Sequence, residues 1–119
     1  MTLQECYAAL GGNYDDVLAR LRTERLVQKF VIKFLDDHSF ETLVRSLETG
    51  ETEEAFRAAH TIKGMCQNLS FDRLSASSAQ ITELLRGEAD LEAARALLPR
   101  VQEDYQCTAE AIRAFAAAL

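Results

Sequence analysis

Apolar residues recur at intervals of three and four along the whole chain, and nowhere do they alternate as a half-buried strand requires. In a sequence rich in Ala, Leu, Glu and Arg, that period predicts an all-α protein. Leu3, Cys6, Tyr7 and Leu10 mark a short first helix, stopped at Gly11-Gly12-Asn13, residues that tolerate the positive φ of a helix end. Tyr14, Val17, Leu18 and Leu21 mark a second. Leu26, Val27, Phe30, Val31, Phe34 and Leu35 form the most apolar helix, ended by Asp36-Asp37-His38-Ser39. Ser39 is placed to cap a helix carrying Phe40, Leu43, Val44 and Leu47, which Thr49-Gly50 closes.

Thr52 opens the next helix, with Ala55, Ala58, Ala59, Ile62, Met65, Cys66 and Leu69 as its buried face. Ser70-Phe71-Asp72 then predicts a sharp reversal into a helix striped by Phe71, Leu74, Ser78, Ile81 and Leu85 and ended by Gly87. Asp90 caps the last segment, where Leu91, Ala94, Leu98, Val101, Tyr105, Thr108, Ile112 and Phe115 keep one register across Pro99. That register allows one long helix kinked near Pro99, or two helices with Pro99 in the first turn of the second. Connections of two to five residues make successive helices antiparallel. The expected architecture is an up-down antiparallel bundle over residues 1–119, with a four-helix core, short N-terminal helices and a long C-terminal helix.

Charge narrows the partners. The 13 basic and 19 acidic residues leave a net charge of −6, which argues against nucleic acid or an anionic membrane, since both need a basic face. A protein partner is expected. Cys6, Cys66 and Cys107 are odd in number, widely spaced and form no C-x-x-C pair, as in a reduced cytosolic protein. With only His38 and His60 as imidazole donors, no zinc spacing is present and no metal or other cofactor is expected. There is no basic leader segment and no run of about 20 apolar residues. These features predict a soluble, cytoplasmic monomer.

One histidine stands out. A helical projection of residues 55 to 70 puts Ala55, Ala58, Ile62, Met65, Cys66 and Leu69 on one side and His60 on the other, with Glu53, Phe56, Arg57, Lys63, Gly64 and Gln67 within about 60° of it. A core role for His60 is therefore excluded by geometry. Gly64 costs roughly 1 kcal/mol relative to Ala inside a helix, yet it sits at i+4, beside the imidazole. Lys63 and Arg57 put cations one turn to either side in an acidic protein. An exposed imidazole, a clearance glycine and local cations describe a ring that carries a phosphoryl group. His38, among acids in a turn, reads as a solvated loop residue, and Met65 and Cys66 read as core.

The run A-H-T-I-K-G, residues 59 to 64, followed by Leu69, Phe71 and Leu74, resembles the histidine phosphotransfer family. The likeness extends to the L-G-G-N turn near residue 10, the length, the helical architecture and the reversal after the histidine helix. Members often carry Gly where this chain has Ser70; Ser caps helices well, so the turn is expected to form. No ATP-binding segment or receiver domain is attached, which resembles a free-standing member and a carrier rather than a kinase.

The resemblance implies that His60 takes a phosphoryl group from a receiver-domain aspartate and passes it to another receiver. Partners would be response-regulator receivers or a hybrid sensor kinase, with Mg²⁺ held by the receiver alone. An exposed imidazole, largely neutral near pH 7, offers the nucleophilic nitrogen. Phe56 is expected to be either a docking residue or folded onto the neighbouring helix. Gln67 and, from the next helix, Gln80 could bond the imidazole or phosphate; a one-residue change in the turn would put Ser77 or Glu83 there instead. The rival is a non-catalytic module that sequesters a receiver or kinase through the surface around Phe56. A hydrolase is disfavoured, because no Ser or Cys nucleophile shares the face of His60.

Overall fold

The computed structural model describes residues 1–119 and contains helices and no strand. They are α1 (Leu3–Leu10), α2 (Tyr14–Leu21), α3 (Glu24–Lys33) with a 3-10 turn at Phe34–Asp36, α4 (Ser39–Thr49), α5 (Thr52–Leu69), α6 (Asp72–Leu85) and α7 (Leu91–Ala117). The last four pack up and down as the bundle core, and α1 lies along α7. No helix is long and apolar enough to cross a membrane.

Local chemistry sets most of the boundaries. Thr2 and Glu5 form a reciprocal capping box on α1, and Asn13, Thr23 and Asp90 each accept a backbone N–H at the start of their helices. Ser39 behaves otherwise. It is the first helical residue of α4 rather than its cap; His38 holds the cap position, and the Asp37 carboxylate accepts the Ser39 N–H at 2.8 Å. The apolar run of α3 also ends earlier than its period suggests, tightening to the 3-10 turn at Phe34 and leaving Leu26 at the surface. Pro99 is absorbed into a single helix, α7, with its ring exposed to solvent.

The core joins Val27, Val31, Leu43, Leu47, Ile62, Leu74, Ile81, Val101 and Ile112, all essentially without solvent contact. At one end an aromatic cluster closes it. Phe71, between α5 and α6, lies 5.3 Å from Phe34 and 5.6 Å from Tyr7 by ring centroids, and Tyr105 stacks on Phe40 at 4.3 Å. Such pairs add about 0.5–1.5 kcal/mol each beyond their buried area.

The α5–α6 reversal is gripped from outside by the N-terminal helices. Tyr7 Oη donates to the Leu69 carbonyl at 2.7 Å, the Asn13 N–H to the Ser70 carbonyl at 2.9 Å, and the Arg73 N–H to the Gly11 carbonyl at 3.1 Å. Gly12 is required by this contact, because a Cβ there would stand 2.8 Å from the Ser70 carbonyl oxygen. Ser70 itself adopts a left-handed φ of 57°, a conformation that favours glycine. Its hydroxyl does not cap α6. It donates to Asp16 Oδ2 at 2.6 Å and accepts from Arg20 Nη1 at 2.9 Å, and these bonds offset the strain. The turn thus forms as the sequence suggests, through a different function of the serine.

Candidate functional site

Helix α5 is amphipathic for a local reason: Ala55, Ala58, Ala59, Ile62, Cys66 and Leu69 are buried against α4 and α6, which turns His60 to solvent. Arg57, Gly64 and Gln67 share that exposed face, while Phe56 and Lys63 are half-buried at its edge toward α6. A Cβ built on Gly64 meets no atom within 4 Å, so the glycine is not a packing residue. Its place at i+4 leaves one flank of the imidazole open.

The other flank is furnished. The Phe56 ring lies parallel to the imidazole, 8° between planes and 5.7 Å between centroids. Over Phe56 sits the Arg86 guanidinium, 5.1 Å from the ring centroid. Phe56 therefore packs toward α6 with a cation above it, and does not stand free. Arg86 in turn grips Glu83, with Nη2 to Oε2 at 2.9 Å. Those hydrogen bonds from Arg86 hold the Glu83 carboxyl below its ordinary range, and the nearby Lys63 and His60 act in the same direction.

Gln80 lies exposed on α6 with Ala79, Glu83, Leu84 and Leu97 and makes no hydrogen bond to His60. The α6 residue whose charge reaches His60 is Glu83, while Ser77 is buried. Gln67 is exposed one turn from Lys63 and likewise bonds nothing at the ring. Met65 departs from the core assignment. It is half-exposed in the wall of a groove of about 420 Å³, together with Phe30, Phe34, Lys33 and Leu69. Cys66 is fully buried, and burial pushes its thiol well above the ordinary range. His38 is exposed, 3.6 Å from Glu41. No three His, Cys, Asp or Glu side chains converge as a metal-ligand set.

Sequence reasoning missed the pairing of Glu83 with Arg86. Their spacing of three on a helix signals an ion pair, but only the packing of α6 on α5 shows that it faces Phe56.

The bundle thus exposes one imidazole in mid-helix, with Phe56 stacked on one flank and Lys63 and Gly64 beside it. Residues 25–117 match the Hpt domain, and the chain belongs to this family of histidine phosphotransfer domains, phosphocarriers of two-component signalling that interact with receiver domains and histidine kinases. No curated protein and no solved structure matches the chain.

Proposed function

We propose that His60 is the phosphoryl acceptor and donor of a phosphorelay, exchanging the group with aspartates of response-regulator receivers or of a hybrid sensor kinase. The observation that carries this is the imidazole's setting: exposed in the middle of α5, beside the open space at Gly64. In the forward step a neutral imidazole nitrogen attacks phosphorus, the N–P bond forms, and the acyl-phosphate P–O bond breaks. The aspartate leaves as carboxylate with the bonding pair. The reverse step loads the next receiver.

Lys63 and Arg57 supply positive charge to the phosphoryl oxygens as they pass. Gln67, on the same exposed face, is a hydrogen-bond donor available to the phosphoryl group. Gln80, exposed on α6 beside Glu83, is a second donor available to the phosphoryl group. The Mg²⁺ that organises transfer belongs to the receiver, and the chain works as a cytoplasmic monomer. Sequestration through Phe56 is less well supported, because Arg86 covers that ring.

The test is incubation with phosphorylated receivers. Wild type should gain an acid-labile phosphate and His60→Gln should gain none, with an unchanged melting temperature because the site is exposed. Retained labelling in the variant refutes the assignment.

A further inference from the structure

Arg86 is the first residue past α6 and has an extended backbone, φ −76° and ψ 135°. Its guanidinium faces two partners, the Glu83 carboxylate at 2.9–3.2 Å and the face of Phe56. Both members of the ion pair stand largely in water, with side chains 51% and 61% exposed. An exposed pair of this kind is held weakly and exchanges readily. Phe56 is stacked with the imidazole, so the guanidinium stands one aromatic ring from His60. The charged groups around that ring are Glu53, Arg57 and Lys63 on α5, and Glu83 and Arg86 from α6.

A phosphoryl group on His60 would add about −1.5 to −2 charge and three acceptor oxygens. It would repel Glu83 and attract Arg86, whose planar fork fits two phosphate oxygens. We propose that Arg86 is a reserve phosphate ligand: it rests on Glu83 and Phe56 while His60 is free, and exchanges the Glu83 carboxylate for the phosphoryl oxygens once His60 is phosphorylated. The proposal rests on His60 being the acceptor. Phe56 provides the path, since a guanidinium keeps a favourable contact with an aromatic face as it slides across it. Glu83 makes the exchange reversible, because it recovers Arg86 when the phosphoryl group leaves.

The experiment uses the whole chain and phosphoramidate, with no partner protein. The donor's N–P bond breaks, a new N–P bond forms at the imidazole, and ammonia leaves. ³¹P NMR then follows the second ionisation of the phosphoryl group against pH. A cation at the oxygens favours the dianion, so its removal raises that midpoint. Arg86→Ala should raise it by roughly half a pH unit, and Arg86→Lys should restore part of the shift. Glu83→Gln should lower it, by removing a negative neighbour and releasing Arg86. Matching titrations in wild type and Arg86→Ala overturn the proposal. So does a drop in Glu83→Gln with none of the Arg86 response, since the field of Glu83 alone would then be acting. If the wild type gives no phosphohistidine signal that is lost in His60→Gln, the acceptor reading itself fails and the Arg86 proposal falls with it.

Discussion

Gly64 sets helix stability against function. It lies inside α5, exposed, with nothing within 4 Å of the place a Cβ would occupy. Gly64→Ala therefore brings no overpacking penalty and should recover nearly the full propensity difference, about 0.5–1 kcal/mol. Unfolding entropy for a 119-residue chain is of order 0.25 kcal/mol/K, so the gain corresponds to a rise in Tm of about 2–4 °C. Gly64→Gln should also fold stably, but its side chain would fill the open flank of the imidazole, hinder in-line approach and slow phosphotransfer from a receiver. Denaturant midpoints and transfer rates on both variants are the measurements. Loss of stability in Gly64→Ala, or a Gln variant that transfers at the wild-type rate, refutes the clearance reading.

Tyr7→Phe removes a buried donor from the Leu69 carbonyl and should cost about 1–2 kcal/mol in denaturant titration without changing labelling of His60; unchanged stability would show that the bond contributes nothing. Asp16 is held below the ordinary carboxylate range by the Ser70 hydroxyl and Arg20, so its contribution is present above the unfolded value and lost as pH falls through the lower folded one. Wild type should exceed Asp16→Asn in stability at neutral pH, with the gap closing below about pH 4; a gap independent of pH contradicts this. Among the thiols, native alkylation should modify Cys107 alone, since Cys6 and Cys66 are buried and burial pushes the Cys6 thiol up to about 11. Mass spectrometry showing Cys6 or Cys66 modified in the folded protein would contradict the packing.

The helices and the outward face of His60 were legible because phase along one helix is local: 100° per residue fixes which side chains share a side. What failed to be legible lies between helices. The partner of His60 on α6 depends on how Ser70 and Phe71 reverse the chain. A serine at φ 57°, held by residues about fifty positions away, leaves no local signature. Hence the sequence leaves Gln80, Ser77 and Glu83 open on α6, and only the packing sets Glu83, paired with Arg86, near Phe56 and His60. Ser39 was misread as a cap because Asp37, two residues earlier, takes the N–H instead. Met65 sits at the margin of the buried stripe, where the width of the neighbouring helix decides exposure. Asp104, buried between Arg73 and Arg100, carried no signal at all, since an acid on a helical stripe reads as a surface residue until its cations are seen.

The grip of the N-terminal helices on the α5–α6 reversal also sets an order of events during synthesis. Sixty-two residues separate Tyr7 from Leu69, and ninety-eight separate Ala9 from Cys107. At about 5–20 residues per second, α1 leaves the ribosome roughly 3–12 s before its first long-range partner exists. Helices of eight residues are unstable alone in water, so α1 and α2 depend on docking for their stability, whereas the α4–α5 and α5–α6 hairpins can close on contacts nearby in sequence. The two short helices are therefore expected to dock last. Weakening α1 should then raise the unfolding rate more than it lowers the folding rate, and a chevron comparison of wild type with Tyr7→Phe reads that split: α1 would act as a latch on the finished bundle.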